Sequence, residues 1–313
     1  MVKNRALMKT KLPKMRKKLM GFARLARPAN LPTVAADILA GIAISCFFSG
    51  IAPAHFFLVE AEAIVFLVLA SVFLYAGGVV LNDVFDAKLD AVERPERAIP
   101  SGVVSVKEAA VFGIILMLLG CLLASWVTDF SASIAIILAA TIYIYDAIAK
   151  KHAFFGPAVM GLCRGLNLLL GISILGELPM MWVAIIPVLY IFAITLISRG
   201  EVHANNKKHI VMAAVLFAAV IILIATSIAI YSASLPIAIP FLVLFAFSIY
   251  KPLVKAYQEN TPGNIKKAVM AGVLSLVVMD ACWVVGFANW YIGLGVLLLL
   301  PLSLLLSKLF AVT

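Results

Sequence analysis

Four side chains able to ligate a cation stand within nine residues: Asn82, Asp83, Asp86 and Asp90, in the run LNDVFDAKLDAVERPERAIPSG over 81–102. On a helix, Asn82, Asp86 and Asp90 follow i, i+4, i+8 spacing, and Asp83, Asp86 and Asp90 follow i, i+3, i+7. Either set shares one face. Three carboxylates on one face repel one another unless cations lie between them. Side-chain oxygens are the ligands a hard ion such as Mg2+ prefers, and Mg2+ usually keeps positions open for phosphate oxygens. The pattern points to a Mg2+–phosphate site with Asn82, Asp83, Asp86 and Asp90 as metal ligands. The plainer alternative is a solvated helix end whose acids pair with Lys88, Arg94 or Arg97.

The rest of the chain decides how costly those acids are. Only 13% of the 313 residues are charged, 64% are hydrophobic and the mean hydropathy is +1.12. Soluble domains carry roughly 25% charged residues. Apolar runs near 29–50, 57–81, 107–127, 131–149, 157–176, 180–198, 209–231, 234–250, 265–286 and 290–307 are long enough to cross a bilayer. They lack the alternation of barrel strands, so they are helices. The expected fold is an all-α, polytopic transmembrane bundle of nine to ten helices. A basic tail over 1–28 precedes one transmembrane domain over 29–313. The tail's charge could belong to a signal peptide, but the first apolar run is too long and has no convincing cleavage site.

Charge sets the orientation. The first 36 residues hold ten Lys or Arg and no acid, and with ten spans all 25 basic residues fall on one side. By the positive-inside rule that side is the cytoplasm, which places the N-terminus and the motif loops there, at the cell membrane. The net charge of +10 then describes a face lying on anionic lipid, and no nucleic-acid partner is needed. Cys46, Cys121, Cys163 and Cys282 lie in apolar runs without CxxC spacing and read as packing residues, and the four histidines form no paired metal motif. Arg164 and Asn167, about two turns into the fifth span, are expected on a cavity wall, because a lipid-facing Arg there needs a partner. That partner is expected to be an acid from a motif loop. Asp37 and Asp280 stand alone in the first and ninth spans, as partners or as packed polar residues.

Several segments carry a resemblance. NDVFDAKLD matches the NDxxDxxxD motif of the UbiA superfamily of intramembrane prenyltransferases, and RAIPSG is similar to that family's R-P-[IL]-x-x-G segment, with Ala98 where proline is usual. RPANLPTVAADILAG resembles its first-helix pattern, which contributes Arg27 and Asn30. LYAGGVVLNDVFDAKLDAVERPERAIPSG, MGLCRGLNLLLG and SRGEVH together look most like the UbiA-like EboC subgroup. The resemblance implies a bundle around a cavity, with two polar motifs binding Mg2+ and a prenyl diphosphate at its cytoplasmic mouth. Arg27, Asn30, Arg97, Lys150 and Lys151 would hold the diphosphate. The segment from Tyr145 to Lys150 is one residue longer than the family's Tyr-x-x-x-Lys, and Asp146 there would orient or deprotonate the acceptor.

The second family motif, an aspartate-rich run after the sixth helix, is replaced here by SRGEVHANNKKH. By position, Arg199 and Glu201 would face the first motif. Glu201 would serve a second metal with Asn205 or Asn206, and Arg199 would clamp phosphate as a fixed cation. Loss of diphosphate ionisation is the third account. Asp83, Asp86, Asp146, Arg199 and Glu201 are thus the expected catalytic set, and Arg164, Asn167 and His203 the expected acceptor contacts. The acceptor is a small molecule, aromatic as is usual in the superfamily or polar and cyclitol-like. The rival reading is a non-catalytic accessory or transport protein that binds a lipid or small metabolite.

Overall fold

The computed structural model describes residues 15–201 and 204–310. Ten helices among them are long and apolar enough to span a membrane. Their α-helical parts are α1 (Leu31–Phe48), α2 (Ala61–Phe85), α3 (Val106–Ser125), α4 (Asp129–Ala147) and α5 (Phe155–Ile172), then α6 (Ile185–Ser198), which short 3-10 turns extend back to Met181, α7 (Lys207–Tyr231), α8 (Leu235–Gln258), α9 (Pro262–Phe287) and α10 (Trp290–Phe310). The expected all-α membrane bundle is the observed fold, with ten candidate spans among the described residues. The second span runs further than its apolar stretch, so Asn82 and Asp83 lie in its last turn.

Two apolar cores divide the bundle. One joins α2, α3 and α4, the other α6 to α9, and α1 and α5 contribute to both. The two shared helices meet at glycine. A Cβ on Gly41 would come within 2.5 Å of the Leu168 carbonyl, and one on Gly171 within 2.5 Å of the Ile38 carbonyl. Small residues allow this approach where lipid supplies no hydrophobic drive for association. Because the obstacle is backbone, neither helix can yield cheaply. Gly171→Val is therefore expected to cost about 1–3 kcal/mol through overpacking. Melting of the purified protein checks this, with Gly263→Ala as the unaffected control, since a Cβ there meets nothing within 4 Å. The same device seats α3 on α2, where Gly77 lies against the carbonyl of Gly113.

The described part of the basic tail is not extended chain: 15–25 is helical. Phe22 and Leu25 pack with Ile99, Val104 and Phe112, and Lys18 pairs with Glu108 at 2.5 Å, so this helix lies across the loop between α2 and α3. The chain then turns into α1 at Arg27, whose φ of 47° and ψ of 63° are left-handed. A non-glycine residue held there costs roughly 1–3 kcal/mol and persists only when its surroundings fix it.

Candidate functional site

Arg27 is fixed by the acidic motif. Its Nη2 donates to Asp83 Oδ1 at 2.7 Å, and Arg97 Nη1 donates to the same oxygen at 3.2 Å and to Asp90 Oδ2 at 2.7 Å. Asp83 and Asp90 are nearly fully buried. The helix breaks at Asp86, and a short second helix, Ala87–Glu93, carries Asp90. The single continuous face expected from the spacing is thus divided. Asp83 and Asp90 turn to the arginines, while Asp86 meets Lys150 Nζ at 2.6 Å. Asp146, 2% exposed, accepts from Asn82 Nδ2 at 2.7 Å and lies 3.9 Å from Lys150. Of the three basic partners offered by the solvated-end reading, Arg97 is the one that engages the motif. Arg27 and Lys150 come from elsewhere in the chain.

Two cavities meet at Arg27 and Asn30. The outer chamber, about 1130 Å³, lies between the 15–25 helix, the motif loop and the end of α10, with Asp83 and Arg97 on its wall. The inner cavity, about 280 Å³, runs between α1, α2, α4 and α5. Asn82, Tyr145 and Asp146 stand on its walls, Asn30 donates to Tyr75 Oη at 2.9 Å, and Thr33, Ser71, Arg164 and Asn167 form a second polar group.

Arg164 and Asn167 do line a cavity, but their partner is not a motif-loop acid. Arg164 Nε lies 2.6 Å from Asp37 Oδ2, and its Nη atoms donate to Thr33 Oγ1 at 3.2 Å and to the Thr33 carbonyl at 2.5 Å. Asn167 Nδ2 donates to Asp37 Oδ2 at 2.7 Å and to the Val34 carbonyl at 3.0 Å, and Ser71 donates to Asn167 Oδ1 at 2.6 Å. The local acid wins because of depth. At about 1.5 Å per residue, Asp37 lies roughly 9 Å into α1, whereas Arg164 would have to climb out of α5 to reach a loop. Lone opposite charges in neighbouring apolar spans were the signal for this pair, and Thr33, Ser71 and Tyr75 gave none.

The second loop is placed elsewhere. Arg199 is exposed and donates to the Ala153 carbonyl. Glu201 is half-buried, and neither residue lines either cavity among the described residues. Asn206 caps the sixth span by donating to the Ile197 carbonyl at 2.8 Å and pairs with Asn260, so its amide is engaged in packing. Lys151 is exposed, and His203 lies outside the described residues. The four cysteines are free.

The first motif fits Mg2+ by donor chemistry. Asp83, Asp86 and Asp90 offer carboxylate oxygens, and Asn82, donating its amide N–H to Asp146, keeps its oxygen as an acceptor. Among the described residues, no three His, Cys, Asp or Glu side chains are already gathered as a ligand set. Each acid is instead neutralised by Arg27, Arg97 or Lys150. These are the groups a phosphate would draw away.

The pattern of the UbiA prenyltransferase family matches residues 42–271, most of the chain. The chain belongs to that family. A digeranylgeranylglyceryl phosphate synthase of Sulfurisphaera tokodaii is 31% identical over 156 residues, which is 50% of this chain and 56% of the relative. A synthase of the same name from Methanoregula boonei is 32% identical over 179 residues, 57% and 58% of the two chains. The match therefore spans a little over half of each relative. In fold, the UbiA member resembles a digeranylgeranylglyceryl phosphate synthase structure (TM-score 0.63, 21% identity, 86% of this chain and 98% of that one). It also resembles a UbiA homolog from Archaeoglobus fulgidus bound to GPP and Mg2+ (TM-score 0.61, 18% identity, 84% and 99%).

Proposed function

We propose that this UbiA family member transfers a prenyl chain from a prenyl diphosphate to a small acceptor at the cytoplasmic mouth of its bundle, with Mg2+. The observation that carries the reading is the pairing of Asp83, Asp86 and Asp90 with Arg27, Arg97 and Lys150, a cluster that reaches the meeting point of the two cavities through Arg27. Acids and bases so interleaved can separate, the acids toward metal and the bases toward phosphate oxygens. When bound, Mg2+ neutralises the oxygens of the leaving group. Arg27, Arg97 and Lys150 bind the remaining diphosphate charge, Arg through its planar fork and Lys as a point charge. The apolar stretches of the inner cavity wall, among them Val34, Leu138 and Ile142, limit the water beside an allylic cation. Asp146, between Asn82 and Lys150, orients the acceptor or accepts its proton in this reading.

The relatives' name describes a glyceryl phosphate carrying two geranylgeranyl groups, which supports a polar acceptor over an aromatic one. The polar group formed by Thr33, Ser71, Arg164 and Asn167 supports the same choice. The synthase names also weigh against the accessory-protein reading. Proteoliposomes supplied with radiolabelled geranylgeranyl diphosphate and Mg2+ test this, with a prenylglyceryl phosphate, a cyclitol and a hydroxybenzoate as separate acceptors. The expected result is transfer to a polar acceptor and diphosphate release that EDTA stops. Intact binding of the diphosphate without release in any arm would favour the accessory protein.

A further inference from the structure

Behind the inner cavity lies an acid with no assigned task. Asp280, on α9, is 1% exposed, and neither of its oxygens has a hydrogen-bond partner among the described residues. It lies beside Asp37, which is equally buried and whose Oδ1 is also without a donor. Asp37 Oδ2 is already committed, to Arg164 and to Asn167. Two carboxyls thus share one guanidinium in a region that excludes water, and two buried charges of one sign cannot both be matched by a single cation. One proton resolves the charge and all but one of the unpartnered oxygens. Placed on Asp280, it gives Asp37 Oδ1 its missing donor, satisfies an Asp280 oxygen and brings the three groups to zero net charge. Placed on Asp37, it would weaken the acid that faces the cation and accepts from Asn167.

We infer that Asp280 is a neutral carboxylic acid that donates to Asp37 Oδ1 and, through Asp37, fixes Arg164 on the wall of the inner cavity. Asp280 lines neither cavity, so it is a positioning residue. Arg164 reaches that wall held on one side by Thr33 and on the other by Asp37. The protonation state rests on this buried geometry alone, and only its consequence for the acceptor rests on the function proposed above.

Infrared spectroscopy of the purified full-length protein, with and without aspartate labelled with carbon-13 in its carboxyl group, tests the protonation directly. The expected result is a carboxylic-acid C=O band that shifts with the label and is lost in Asp280→Asn. Asp37→Asn gives a second route to the assignment: Arg164 then takes Asp280 as its anion, and the band is lost again. Absence of a label-sensitive acid band in the wild type, or its survival in both variants, would overturn the inference. For positioning, Asp280→Asn keeps an N–H donor for Asp37 and should leave the acceptor KM within about threefold. Asp280→Ala removes the donor and should raise it about tenfold, with diphosphate release in the absence of acceptor unchanged. Equal acceptor KM for the Asn and Ala variants would remove the positioning role. A wild type that transfers to no acceptor sinks the functional reading and leaves the infrared band to decide the rest.

Discussion

Asp83→Ala is expected to lower Mg2+-dependent release of diphosphate from a prenyl diphosphate by about a thousandfold while leaving diphosphate binding intact or tighter. The two effects separate because Asp83 is the meeting point of both kinds of charge. It accepts from Arg27 and Arg97, it is buried, and it lines the outer chamber. Removing it frees the Arg27 guanidinium to attract a diphosphate and leaves Arg97 with Asp90 alone. It also removes a ligand from the metal that stabilises the leaving oxygens, an effect worth several kcal/mol, and about 4 kcal/mol is about a thousandfold in rate. Arg97→Ala should behave in the opposite way. It leaves Asp83 and Asp90 close together without their shared cation, so prenyl diphosphate binding weakens by about tenfold or more. Titration calorimetry with a non-reacting prenyl diphosphate analogue reads the binding, and release of diphosphate reads the turnover. Full turnover in Asp83→Ala would show that the motif does not hold the metal.

How much of this was legible in the sequence depends on which force fixed each residue. The spans were legible because water and hydrocarbon sort side chains over about 20 residues at a time, a coarse signal that tolerates local error. Asn82 to Asp90 were legible because four oxygen donors in so short a stretch have few other uses. Their partners were less so. Arg27 reaches Asp83 only because the chain adopts a left-handed turn at Arg27, and Lys150 reaches Asp86 only because the helix breaks at that residue. Neither event follows from periodicity. Arg199 illustrates the opposite case. Its position suggested a phosphate clamp, yet a single hydrogen bond to the Ala153 carbonyl is enough to hold an exposed Arg at the end of α6. The partner of Arg164 was not legible for a different reason. A lone acid in an apolar run has no informative neighbours in sequence, because its partner lies 127 residues away on α5.

That pair supports the second large expectation. Arg164→Met should be among the most destabilising single substitutions in the bundle, because it leaves Asp37 ionised and buried without its cation. Breaking a buried ion pair from one side costs about 3–5 kcal/mol, far more than the pair itself contributes. Asp37→Asn should cost clearly less, although it breaks the same pair. If Asp280 carries the extra proton, it can release that proton and take over as the anion for Arg164, a replacement that Arg164→Met does not allow. The substitutions at Asp37 and Asp280 are therefore expected to be strongly non-additive. Asp280→Asn alone should be mild, because its amide still donates to Asp37. Combined with Asp37→Asn it leaves the guanidinium with no acid, and the loss should approach that of Arg164→Met, with a coupling of about 1–3 kcal/mol. Melting temperatures of the four variants in one detergent measure this. Simple addition of the Asp37→Asn and Asp280→Asn effects would count against the shared proton, and equal costs for Asp37→Asn and Arg164→Met would show that no second acid stands ready behind the first.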